Sequence, residues 1–437
     1  MSATTNDRND RHARTDRTAR TARLESILDA AEESSFETLC VRAGGAPDPE
    51  TGALVPTVCQ ATTFAQRLPG QQPAWCYGRT GNPTRSRLEE ALAALEGARH
   101  AFSFASGLAA VDTLLHTLGA GAHVVASQDL YGGCYRQFTK VWSRFGVRFS
   151  LVDAAEIEAI RDAIRPETKL LWLETPSNPL LRITPLREAC TLAREAGIRS
   201  VVDNTFATPL LQRPLELGAD IVLHSTTKYI GGHCDVLGGA LITDDPEIAA
   251  ELRFLQNALG AVPSPADAAL LLRGIRTLAL RVERHCSSAE AIAHGLVGAP
   301  GVARVLFPGL PTHPGHAIAA SQMTRFGGLV TIELAGGRAA VDRFAQTIEL
   351  WTLAESLGGF KSLWCHPATM THASVEPAER ERVGIREGTI RLSVGLEDPR
   401  DLLADLQRAL RAAEGVAATA ASAPAAANAS LLEEVTA

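Results

Sequence analysis

Short apolar runs that alternate with helix-period segments constrain this chain more than any other feature. Strands are expected at residues 122–126, 148–152, 169–173, 199–202, 220–223 and 239–242. Helices are expected at 85–98, where Leu88, Leu92 and Leu95 share one stripe, and at 106–118. Strands this apolar, separated by helices, must be covered on both faces, which predicts the α/β class with a mostly parallel sheet. The segment NALGAVPSPADA, residues 257–268, interrupts the rhythm with a glycine and two prolines and marks a domain boundary. Beyond it, long helical runs and strands at 328–334 and 389–394 predict a smaller α+β domain. The helix expected at 399–414 has Asp398 before it, Pro399 in its first turn and Gly415 as its stop.

With 437 residues, 46% of them apolar, the chain can bury a large core and divides into two domains plus appendages. A formal net charge of -7 argues against a general nucleic-acid or membrane-surface binder and leaves small metabolites as the expected partners. The eight cysteines are scattered without a CxxC pair, so no zinc site or disulfide framework is expected, and reduced thiols in a cytoplasm fit best. No apolar run is long enough to span a bilayer and no secretion signal is visible, so a soluble protein that stays inside the cell is expected. The N-terminal tail, 1–35, carries Arg8, Arg11, Arg14, Arg17, Arg20 and Arg23 at a spacing of three. Its Asp7, Asp10 and Asp16 favour a solvated disordered tail over a nucleic-acid arm. The Ala-rich stretch at 417–430 reads as a frayed, low-complexity end.

Ligands of open parallel sheets gather beyond the carboxyl ends of the strands. Polar segments follow three of the expected strands: ETPSNP from Glu174, DNTFATP from Asp203, and HSTTKYIGGH around Lys228. SFASGL, from Ser103, opens a helix with small residues whose free N–H groups suit an anion. Alone, Asp203 reads as a cap or surface carboxylate, and Lys228 as a solvated ammonium. Together they assemble an acid, an amine nucleophile, hydroxyls and a helix start at one sheet edge, the company an imine-forming lysine needs. Further on, Ile390, Leu392 and Val394 alternate with Thr389, Arg391 and Ser393, which puts Arg391 on the polar face of its strand.

Nine segments occur in order: YGRTGNPT, SGLAA, YGGCYR, ETPSNP, DNTFATP, STTKYIGGH, AESLGG, MTHASV and RLSVGLED. Through them residues 36–413 resemble the pyridoxal-phosphate enzymes of cysteine and methionine metabolism, the group of cystathionine γ-synthase, cystathionine γ-lyase and methionine γ-lyase. The resemblance implies an aspartate-aminotransferase-like fold, fold type I. Its parts would be an arm at 36–75 contacting a neighbouring subunit, a cofactor-binding large domain at 76–262, a small domain at 263–415 and a disordered tail at 416–437.

It further implies that Lys228 is the Schiff-base lysine and that Asp203 pairs with the ring nitrogen of pyridoxal 5'-phosphate. Tyr131 would stack on the ring and assist proton transfer, and Asn178 would touch the ring oxygen. Ser225, Thr227 and the backbone of Gly107 and Leu108 would hold the phosphate, with Tyr77 and Arg79 reaching the phosphate of the neighbouring subunit. Arg391 would grip the substrate carboxylate, helped by Ser356, with Glu355 and Arg136 also at the substrate. The active site would then require a dimer, and dimers would pair into tetramers.

Departures from the family pattern bear on the substrate. Cys76, after the bulky Trp75, stands where cystathionine-handling members usually carry an acid, and Lys361 stands where relatives usually carry glutamate. Both remove negative charge that would meet the distal ammonium of cystathionine; neutral drift at the rim is the alternative. Gly133 occupies the position of the cysteine characteristic of methionine γ-lyases, with Cys134 one place off. The expected chemistry is γ-elimination or γ-replacement of the cystathionine γ-lyase or γ-synthase kind. The alternatives are a specialised relative expelling a halide or activated oxygen, and a non-catalytic cofactor-binding scaffold.

Overall fold

The structure, a computed structural model, describes residues 34–48, 51–70 and 73–420. The arginine-rich tail, apart from its last two residues, and the Ala-rich end beyond residue 420 lie outside the described residues. A seven-stranded sheet is formed by β1 (His100–Phe104), β2 (His123–Ser127), β3 (Arg148–Val152), β4 (Thr168–Glu174), β5 (Arg199–Asp203), β6 (Ile221–His224) and β7 (Gly239–Thr243). Its order is β1-β7-β6-β5-β4-β2-β3, and only β7 runs antiparallel to its neighbours. The six strands expected from the sequence are all present, each shifted by at most a residue or two. β1 was not expected, because its HAFSF is short and half polar; the edge position beside β7 accommodates it.

Successive residues of one strand enter different cores, which is how a strand buried on both faces must read. Val201 of β5 packs with Trp172, Leu223 and the helices Gly107–Leu115 and Pro246–Leu259. Val202, the next residue, packs on the opposite face with Leu171, Leu173 and helix Leu186–Glu195. The rest of that second face is covered by helices Pro83–Glu96 and Pro265–Ile275, whose Leu88, Leu92 and Leu271 share a core with Val222 of β6.

The second sheet contains β8 (Val302–Leu306), β9 (Leu329–Leu334), β10 (Thr352–Leu353), β11 (Leu363–Cys365) and β12 (Thr389–Ser393), in the order β10-β11-β12-β9-β8. One face packs Ile332, Ile390 and Leu392 against Phe344, Leu402 and Leu406 of its helices. The other face meets the large sheet's loops, where Thr331 donates to the Pro179 carbonyl at 2.6 Å. All five residues of β12 are therefore buried, and the expected polar face of that strand is an interior one. The final helix runs Pro399–Ala420, past the expected stop at Gly415. One glycine costs a helix about 1 kcal/mol, and the alanines that follow favour continuation.

Candidate active site

The register Glu174↔Asp203 and Asp203↔Leu223 brings β4, β5 and β6 to a common edge, so the three polar loops emerge side by side. Helix Gly107–Leu115 starts at the same edge. Ser106 caps it, its hydroxyl accepting the Ala109 N–H at 3.1 Å and its carbonyl accepting the Ala110 N–H at 3.2 Å. The N–H groups of Gly107 and Leu108 precede the first intrahelical bonds and are left for another acceptor. A Cβ at Gly107 would stand 3.0 Å from Ser225 Cβ, so glycine is what lets the helix start and the serine close together. The Ser225 N–H donates to Thr205 Oγ1 at 2.8 Å, and Thr205 donates to Asp203 Oδ1 through its hydroxyl at 2.5 Å and its N–H at 3.0 Å. Thr227 is more committed than its expected role suggests. Its hydroxyl donates to the Gly238 carbonyl at 3.1 Å and accepts the Gly238 N–H at 3.0 Å, so it must rotate to donate to a phosphate.

Lys228 follows in the same loop, and its Nζ donates to Ser356 Oγ at 2.9 Å. Burial, and secondarily the Arg391 guanidinium, lower the amine from 10.5 to about 8. Ser356 is held at φ 95°, in the left-handed region that side chains avoid, a strain typical of a functional turn. Arg391 reaches this turn from the second sheet, donating through Nη2 to the Ser356 carbonyl at 2.8 Å and through Nη1 to Asn178 Oδ1 at 2.7 Å. It is 2% exposed, which excludes a solvated strand arginine. Its Nε is buried without a partner.

Asp203 and Glu174 are buried carboxylates on adjacent strands. Burial raises the pKa of both; Glu174, raised further by the neighbouring Asp203 charge, sits well above the usual range. Two bonds from Thr205 and the nearby His224 partly offset the shift at Asp203. Tyr131 begins the helix Gly132–Arg136 and is 38% exposed, its phenol raised mainly by burial. Its ring covers Gly133, where a Cβ would come within 2.4 Å of Tyr131 Cε1. A cysteine there would therefore displace the ring.

A cavity of ≈ 750 Å³ opens over Thr227, Cys234, Glu355, Ser356, Phe360 and Lys361. Lys361 Nζ lies 5.8 Å from the Phe360 ring centroid. Arg136 lies at Ser374, its Nη1 3.4 Å from the hydroxyl. Tyr77 and Arg79 stand apart from the Lys228 network: Arg79 donates to the carbonyl of Asn257 and, at 2.9 Å, to its Oδ1. Two members of the assembly were missed by sequence reasoning. Thr205 lies inside DNTFATP and Glu174 opens ETPSNP, and their positions directly after apolar strands were the available signal.

Known proteins match most of the chain. The family model described as Cys/Met metabolism PLP-dependent enzyme matches residues 37–411. A cystathionine β-lyase of Coxiella burnetii is 48% identical over 381 residues, 87% of this chain and 98% of the relative. A cystathionine γ-lyase of Macaca fascicularis is 48% identical over 380 residues, 86% of this chain and 94% of the relative. The crystal structure of cystathionine γ-synthase from Xanthomonas oryzae pv. oryzae in complex with cystathionine superposes with a TM-score of 0.86 at 45% identity, covering 88% of this chain and 99% of that one. The β-lyase widens the set of reactions, since sequence reasoning had named only γ-chemistry.

Proposed function

The chain belongs to the Cys/Met metabolism PLP-dependent enzymes, whose members here are lyases and synthases of transsulfuration type, and from that premise we propose that it eliminates or replaces the γ-substituent of a small amino acid. The single observation carrying this reading is that one residue, Ser356, holds both the Lys228 amine and the Arg391 guanidinium. A proton acceptor and a carboxylate fork are thereby set at one spacing.

Pyridoxal phosphate fits the residues present. The Gly107–Ser225 cradle, with Leu108 and Thr227, suits its phosphate, the buried Asp203 suits a protonated ring nitrogen, and Tyr131 and Asn178 are tied through Glu174 to the strand beside Asp203. Bound there, it supplies an electron sink for the carbanion left at the substrate Cα.

Arg391 uses its fork, with the free Nε, to bind the substrate carboxylate. Lys228, at about 8, sits close enough to neutrality to take the Cα proton and, once that proton is passed on, a Cβ proton, so that the γ-substituent leaves with its bonding pair. Between transfers the Ser356 hydroxyl holds the amine in place. Glu355, on the cavity wall, is assigned to the far end of the substrate, as is Arg136. The same reading assigns Tyr77 and Arg79 to the phosphate site of a second copy, in a cytoplasmic dimer of dimers. It is supported by the 47% exposure of Tyr77, with the Arg79 guanidinium 5.7 Å from its ring centroid.

Lys361 favours a second reading of the leaving group. An ammonium on the cavity wall opposes the distal ammonium of cystathionine and suits a neutral or anionic γ-substituent, such as an acyl oxygen or a halide. The test is a substrate panel of cystathionine, an O-acyl homoserine and γ-chloro homoalanine, each with and without cysteine, with products read by mass. A four-carbon keto acid, or a new thioether with cysteine, supports γ-chemistry. A three-carbon keto acid alone from cystathionine would replace it with β-elimination, and rapid cystathionine turnover would dismiss the second reading.

A further inference from the structure

Glu174 is the last residue of β4 and is 4% exposed. Its Oε2 accepts the Tyr131 N–H at 2.8 Å and its Oε1 accepts the Asn178 N–H at 3.0 Å. Among the described residues it forms no ion pair, and its strand neighbour is another carboxylate, Asp203. Burying a carboxyl group without a cation, beside another carboxyl, is a poor way to stabilise a fold. What this carboxylate accomplishes is to join two loops at the backbone of the residues that face the site. One carries Tyr131. The other carries Asn178, whose side chain holds Arg391, which in turn bonds the turn that anchors Lys228.

We propose that Glu174 is a positioning residue, a two-oxygen clamp that sets Tyr131 and the Asn178–Arg391 pair at a common spacing. The inference rests on the proposed roles of Tyr131 and Arg391. Both oxygens are needed, because each accepts one amide and a backbone N–H cannot be met by a donor. The buried Asp129 bonds the Ser177 hydroxyl and gives the same two loops a second tie, which keeps them folded when the clamp is cut.

Glu174→Gln tests the clamp, because glutamine matches the shape but offers one acceptor and one NH2, so one of the two amides must let go. Three quantities are read: retention of pyridoxal phosphate by dialysis, the apparent affinity for glycine from the spectrum of the bound cofactor, and the melting temperature of the cofactor-free protein. Glycine has no side chain to eliminate, so this readout is independent of the γ-chemistry, which the wild-type substrate panel judges separately. The expected result is a loss of about 10-fold or more in cofactor retention or glycine affinity, with melting unchanged or raised. Unchanged retention and affinity, or losses matched by a fall in melting temperature, would overturn the clamp. Glu174→Asp keeps the carboxyl group but is too short to span both amides; it should lose cofactor retention or glycine affinity by a similar factor, and unchanged values there overturn the clamp if the glutamine variant does not fold.

Discussion

Replacing Lys228 by methionine should stabilise the cofactor-free protein at neutral pH while abolishing its capture of the cofactor. The amine falls from 10.5 in the unfolded chain to about 8 in the fold, chiefly because burial disfavours the ammonium. At about 1.36 kcal/mol per pKa unit, that depression costs the fold about 3 kcal/mol at pH 7. Because the folded value lies below the unfolded one, the cost is complete below pH 8 and is recovered as pH rises toward 10.5. Methionine occupies a similar volume without the charge and gives up the bond to Ser356, worth about 1 kcal/mol. The variant should therefore gain about 2 kcal/mol at pH 7, and the gain should shrink by about 2 kcal/mol by roughly pH 9.5. Urea denaturation of cofactor-stripped wild type and variant at both pH values measures it. A variant that is less stable at pH 7, or whose advantage does not change with pH, would refute the picture of a buried, charge-starved amine.

Further outcomes follow from the same geometry. Arg391→Lys keeps the charge but loses the fork that meets Ser356 and Asn178, so KM for amino-acid substrates should rise about 100-fold in steady-state kinetics, more than kcat falls. Gly107→Ala places a methyl 3.0 Å from Ser225 Cβ and should weaken pyridoxal phosphate binding about 10-fold in equilibrium dialysis, leaving the melting temperature of the cofactor-free protein nearly unchanged. Gly133→Cys should not confer methionine cleavage; it should displace the Tyr131 ring and alter the spectrum of the bound cofactor. Burial lifts Asp129 from 3.8 to about 6, so its contribution to stability is lost as pH rises through that window. Asp129→Asn should flatten the stability profile between pH 4 and pH 6 by at most about 3 kcal/mol, as read by chemical denaturation.

Local patterns in the chain determined the α/β alternation, the ends of the strands, and the segments where Asp203, Ser225 and Lys228 reside. Apolar runs of four to six residues between helix-period segments can satisfy their backbone only in a covered parallel sheet, and the polar residues after each run then fall at one edge. Only the tertiary structure decided who meets whom at that edge. Strand order set Glu174 beside Asp203, a contact that no spacing in the sequence encodes. The docking of the second sheet brought Arg391 to Asn178 and Ser356 to Lys228, and the same docking buried β12 on both faces where its alternation had suggested a polar side. Alternation along a strand reports which side chains share a face. Whether that face meets water or another layer depends on packing between elements distant in sequence, and there the proposed chemistry of this protein resides.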